Sequence, residues 1–316
     1  MNQQAHIDWT PVVVILTVLL LATAGTLLHC NIHCVGSADP HIMRMQDKAS
    51  TLKWLNEMRT KTGRHVSPVG LIELDVARWR AEYLAKRGLF SPYDAEGRHP
   101  LYWYTRLDGG FYAVEEVFIP VEYYDTSPEV LEKASLREGM ERVLSKRRDS
   151  LLNPCYNYIA MEASSRYLGG PQRFGWKFFV FYMVAKWVDW DSPPLYADGR
   201  FTAEGYADPS MKPVALVVYY ASHERYPQLR NSYSLGDVYF CKYLDPPVGC
   251  KDAVELEGTF IVSKVLDSGR WYVKIDTLVQ LDKPGLYTFE IIAEDLRAPN
   301  RRCPLMHYTV EVPPKK

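Results

Sequence analysis

The chain has 316 residues, 47% hydrophobic and 24% charged, which fits an apolar terminal segment plus two domains of ordinary size and excludes disorder. A formal net charge of -1 removes the long-range attraction that general nucleic-acid binding depends on, so nucleic acid is excluded as a partner. The basic run Lys146, Arg147, Arg148 accordingly reads as a solvated helix end.

The first element is apolar. Residues 9–38 carry no Asp, Glu, Lys or Arg, and Pro11 to Leu28 forms a nearly unbroken run long enough to cross a bilayer. A signal peptide competes with this reading, but the basic n-region is missing and the run exceeds a usual h-region. Residues 1–34 are therefore expected as an uncleaved anchor or signal with an N-terminal transmembrane helix, and 35–46 as a polar stalk. The basic residues Arg44, Lys48, Lys53, Arg59 and Lys61 all follow the run, and on the positive-inside rule alone they would stay in the cytoplasm.

Helical periodicity follows. Leu52, Leu55 and Met58 form one stripe, predicting a helix over 46–60. A second, over 68–87, buries Leu71, Leu74, Ala77, Ala81 and Leu84 and stops at Gly88. A third, over 128–146, has Ser127 as cap, Pro128 in the first turn and Glu129 and Glu132 at the positive end of the dipole. The stretch Leu89–Asp125 between them is rich in Tyr, Gly and Pro, and its tyrosines read as packing residues.

From Tyr156 the pattern changes to strands, at 158–163 and 177–190. Residues 193–213 read as a linker, with Pro193, Pro194, Gly199, Gly205, Pro209 and Pro213. Strands at 214–220, 233–243, 256–265, 271–278, 287–293 and 307–312 then predict a β-sandwich over 214–316, with Tyr287 in a segment like the tyrosine corner of immunoglobulin-like sheets. The expected class is α+β.

Six cysteines allow fifteen pairings, and one disulfide among Cys241, Cys250 and Cys303 would suit an oxidising exterior. No Cys-x-x-Cys, Gly-x-Ser-x-Gly, His-Glu-x-x-His, Walker or dinucleotide signature occurs, so no cofactor is expected. His99, in a turn before Pro100, reads as a surface or hydrogen-bonded turn residue rather than as a general base near pH 7.

An ordered set of short blocks carries a family resemblance. Leu55-Asn56-Glu57-Met58-Arg59 is followed by Gly88-Leu89-Phe90-Ser91-Pro92-Tyr93, loosely by Val114-Glu115-Glu116, and then by Arg147-Arg148-Asp149-Ser150-Leu151-Leu152-Asn153-Pro154. In this order they resemble the CAP superfamily (cysteine-rich secretory, antigen 5 and pathogenesis-related proteins), as a divergent, prokaryotic, archaeal-type member. The resemblance covers about residues 50–190. It implies a CAP-like α/β/α sandwich with an antiparallel sheet over 47–192, followed by the all-β immunoglobulin-like sandwich.

The resemblance also implies an extracellular setting, hence a single-pass cell-membrane protein with its soluble domains outside the cytoplasm. Its cleft would be lined by Pro92, Tyr93, His99, Glu115, Glu116, Arg147 and Arg148. The family's two histidine positions hold Pro92 and Arg147, neither of which can ligate a metal, so no metal is expected and Glu115 is expected to face Arg147. The reading is a non-enzymatic protein that binds an envelope lipid, glycan or protein, or scaffolds. The alternatives are a hydrolase using Glu115 and a purely structural surface protein.

Overall fold

The computed structural model describes residues 40–62, 66–222, 235–244, 254–298 and 300–314. The chain divides into two units, 1–47 and 48–316. Of the first, only the opening turns of helix α1 (Pro40–Lys61) are described, so what was expected as stalk is helical from Pro40. The apolar run 11–28, and with it the expected transmembrane helix, lies outside the described residues. Among the described residues no helix is long and apolar enough to cross a membrane.

In the second unit the first sheet has the order β1-β3-β4-β2, with β1 (Gly70–Leu71) parallel to β3 (Tyr158–Gly169), and β3, β4 (Phe174–Ala185) and β2 (Ala113–Tyr123) antiparallel. Strand β4 is buried on both faces because its sequence, Phe178-Phe179-Val180-Phe181-Tyr182-Met183-Val184, is apolar without alternation. One face packs against α2 (Asp75–Arg87) and α3 (Pro100–Asp108), through Ala77, Ala81, Leu84 and Tyr104. The other packs against Leu55 of α1 and against α5 (Leu136–Lys146), through Met140 and Val143.

Helix ends follow local chemistry. Gly88 stops α2 in the left-handed region at φ 64°, as its sequence position predicts. Ser127 caps α4 (Pro128–Lys133), with Pro128 in its first turn. The helix expected over 128–146 is broken at Ala134, and Ser135 caps α5 afresh. Helix α3 falls within the stretch given no helix, starting at Pro100 and ending at Gly109. The four-residue helix α6 (Arg148–Leu151) completes the helical set among the described residues.

The remaining strands form two more sheets. One has the order β10-β11-β6-β5, from Glu257–Lys264, Trp271–Leu278, Arg200–Ala207 and Val188–Ala197. The other has the order β13-β12-β7-β8-β9, from Arg302–Val312, Gly285–Asp295, Met211–Ala221, Asp237–Tyr243 and Val254–Glu255. A single apolar core lies between these two sheets, with Phe201 of β6 stacked on Phe289 of β12 at 4.4 Å. Tyr287 turns its hydroxyl back onto Lys283, donating to its carbonyl at 3.1 Å and accepting from its N–H at 3.0 Å.

These findings overturn the expected fold class. Among the described residues the chain is mostly β, 46% strand against 25% helix, spread over several sheets, and is not an α+β chain made of a CAP-like α/β/α sandwich followed by an immunoglobulin-like one. The segment 193–213 shows the physical reason. It forms no linker, because Phe201, Ala203 and Ala207 alternate inward along β6 and join the core. Pro193 and Pro194 sit where the β5–β6 register shifts between Ser192 and Leu195, so they interrupt the ladder without ending the strand. Asp198 and Gly199, at φ 51° and 74°, make the tight turn that joins the two strands.

Candidate functional site

The residues expected in one cleft lie on two faces of the first sheet. Along β2 successive side chains alternate, so Glu115 faces the α5 side and Glu116 the α2 side. Arg80, on the buried stripe of α2, approaches Glu116 at 3.2 Å and donates at 2.8 Å each to the carbonyls of Ser91 and Pro92. The Tyr182 hydroxyl also donates to Glu116. Arg80 is 1% exposed and Glu116 2%, so the pair is sealed from solvent. Burial pushes the Glu116 carboxyl above its ordinary range, against the pull of Arg80 and Tyr182.

Pro92, Tyr93 and His99 are buried beside this pair. His99 caps α3, accepting from the Leu101 N–H at 3.2 Å, and its ring meets Tyr93 edge-on. Burial, then His307 and Arg80, lowers its pKa to about 3, so the imidazole is neutral and a feeble base near pH 7. His307, from β13, packs its Nδ1 against the Val114 backbone and its Nε2 against Glu290 at 3.2 Å. Sequence reading missed it because only the topology brings β13 next to β2.

On the other face, Glu115 accepts from the Ser150 hydroxyl at 2.5 Å. It also raises the buried Tyr156 hydroxyl's pKa, after burial itself. Arg147 stands exposed at the junction of α5 and α6, its N–H bonded to the Val143 carbonyl at 2.7 Å. Arg148 opens α6 and lines a cavity of about 650 Å³. One wall of that cavity is the 148–154 segment and another carries Arg301.

Two residues of the Leu-Asn-x-x-Arg block build this region. Asn56 clasps both backbone groups of Val69, at 2.7 and 2.9 Å. Arg59, 1% exposed, donates to the carbonyls of Ser67, Leu151, Asn153 and Tyr156. It thereby fixes the segment that forms the wall.

A disulfide joins Cys155 to Cys303, with Cα atoms 5.2 Å apart. Cys303 therefore does not pair within the expected trio. Cys241 is also disulfide-bonded, and since Cys155 and Cys303 bond to each other, its partner lies outside the described residues, where Cys250 also falls. Among the described residues no group of three or more His, Cys, Asp or Glu side chains is placed to hold a metal ion. No protein-family model matches the chain, and no curated protein is significantly similar to it.

Proposed function

We propose that this chain is an extracytoplasmic protein, tethered to the cell membrane through residues 11–28, which binds a ligand or scaffolds in the cell envelope and catalyses no reaction. The observation that carries this reading is the pairing of Cys155 with Cys303, together with the bonded state of Cys241. Cytosolic thiols are kept reduced, so two structural disulfides favour an oxidising compartment.

Against catalysis stand the sealed Arg80–Glu116 pair and the weakly basic His99. A hydrolase working through Glu115 would need water delivered to that carboxylate, which is half-buried, bonded to Ser150 and set against Tyr156. Protease treatment of intact producing cells tests the localisation. Digestion of residues 48–316 without lysis is expected, and protection of that segment until lysis would refute it.

A further inference from the structure

We infer that the cavity between the 148–154 segment and Arg301 is a binding site for a phosphate group joined to a small apolar moiety. This rests on the proposed reading of the chain as a binding protein and names the ligand class.

The first reason is charge. Arg59 is buried with backbone carbonyls as its only hydrogen-bond partners among the described residues, and no carboxylate pairs with it. Burial lowers its pKa only to about 10, so it stays charged at neutral pH. An uncompensated buried cation is costly, and an anion behind a thin wall of backbone offsets that cost. Arg148 has no ion-pair or hydrogen-bond partner for its side chain among the described residues, and it lines the cavity. Arg301 also lines it, held by Asp295 at 3.1 Å, while Asp295 is shared with Arg297. Asp149, also on the lining, is the opposing charge. On the lining itself two guanidiniums, Arg148 and Arg301, stand against one carboxylate, Asp149. That surplus of one positive charge, with buried Arg59 bonded to the Leu151 and Asn153 carbonyls of the wall, suits a phosphate group, whose oxygens accept the arginine fork.

The second reason is shape. A volume of about 650 Å³ is that of a small-molecule site, too large for an inorganic ion alone. Val66, Leu152 and Pro154 supply the apolar part of the lining. The disulfide ties the two walls together, since Cys155 follows Pro154 and Cys303 lies two residues beyond Arg301. The site is thus held open before any ligand arrives, which limits the ordering cost of binding.

Calorimetric titration of the full chain with hexyl phosphate, inorganic phosphate, hexanoate and hexanol tests this. Hexyl phosphate should bind tightest of the four, and more weakly as salt rises. Arg148→Gln, at an exposed position where the fold should survive, should weaken it about tenfold, the value of one charged hydrogen bond. Asp149→Asn should tighten it. Four outcomes would overturn the proposal: hexanol binding as well as hexyl phosphate, inorganic phosphate or hexanoate matching it, absence of any binding, or affinity indifferent to both substitutions. None of these bears on protease accessibility at the cell surface, so the site can fail while the extracytoplasmic reading stands.

Discussion

Glu115 and Glu116 are neighbours in sequence and sit in unlike surroundings, because a strand turns alternate side chains to opposite faces. Glu116 belongs to a buried pair whose partners need each other. Arg80→Ala should cost roughly 3–5 kcal/mol in chemical denaturation, because it strands a buried carboxylate. Arg80→Met combined with Glu116→Gln, which keeps an acceptor for Tyr182, should recover more than half of that loss. Equal losses in the single and double variants would show that the pair is not coupled. His99 should make stability depend on pH. Its folded pKa of about 3 lies below the ordinary 6.5, so the unfolded chain takes up a proton that the fold refuses. Stability from this residue is full above 6.5 and falls by up to about 1.4 kcal/mol per pH unit as pH drops from there toward 3. In His99→Asn, which keeps a capping side chain, the decline between pH 6.5 and 4 should be shallower, and parallel curves would contradict the assignment. That Glu115 and Glu116 point apart follows from strand alternation once β2 is in place, but no strand was expected over 113–123 and both were placed in one cleft. The encirclement of His99 by Arg80 and His307 was not legible, because His307 arrives from 208 positions further along the chain.

At the scale of elements, the hairpin of β5 and β6 turns on Asp198 and Gly199, both at positive φ. Gly199 has open space around its Cα, so a side chain there would meet no clash and only conformational strain. Gly199→Val should therefore destabilise by about 1 kcal/mol or somewhat more, read as a lowered denaturation midpoint with unchanged slope. An unchanged midpoint would count against the turn. This hairpin was readable and was misread. The Asp-Gly pair and the alternation Phe201, Ala203, Gly205, Ala207 are strand and turn signals, but the prolines and glycines around them carry the composition of a linker. Strand 271–278 was legible to the residue, because its alternation is uninterrupted. Helix α3 stayed hidden, since it is capped by a histidine, a side chain that carries no usual cap signal.

For the whole molecule, the Cys155–Cys303 bond spans 148 residues, joining the end of the helical region to the last strand. Closing so long a loop should contribute about 2–5 kcal/mol, so Cys155→Ser with Cys303→Ser should melt markedly lower than the unmodified chain. Residue types could not reveal this pairing, because all fifteen connectivities satisfy the same composition. The extracytoplasmic reading depends most on this bond. Its most direct test is mass-spectrometric mapping of disulfides in protein taken unreduced, with free thiols trapped at lysis, from the cells that make it. The expected result is a linked peptide pair holding Cys155 and Cys303, with Cys241 also bonded. Recovery of Cys155, Cys241 and Cys303 as trapped free thiols would contradict it.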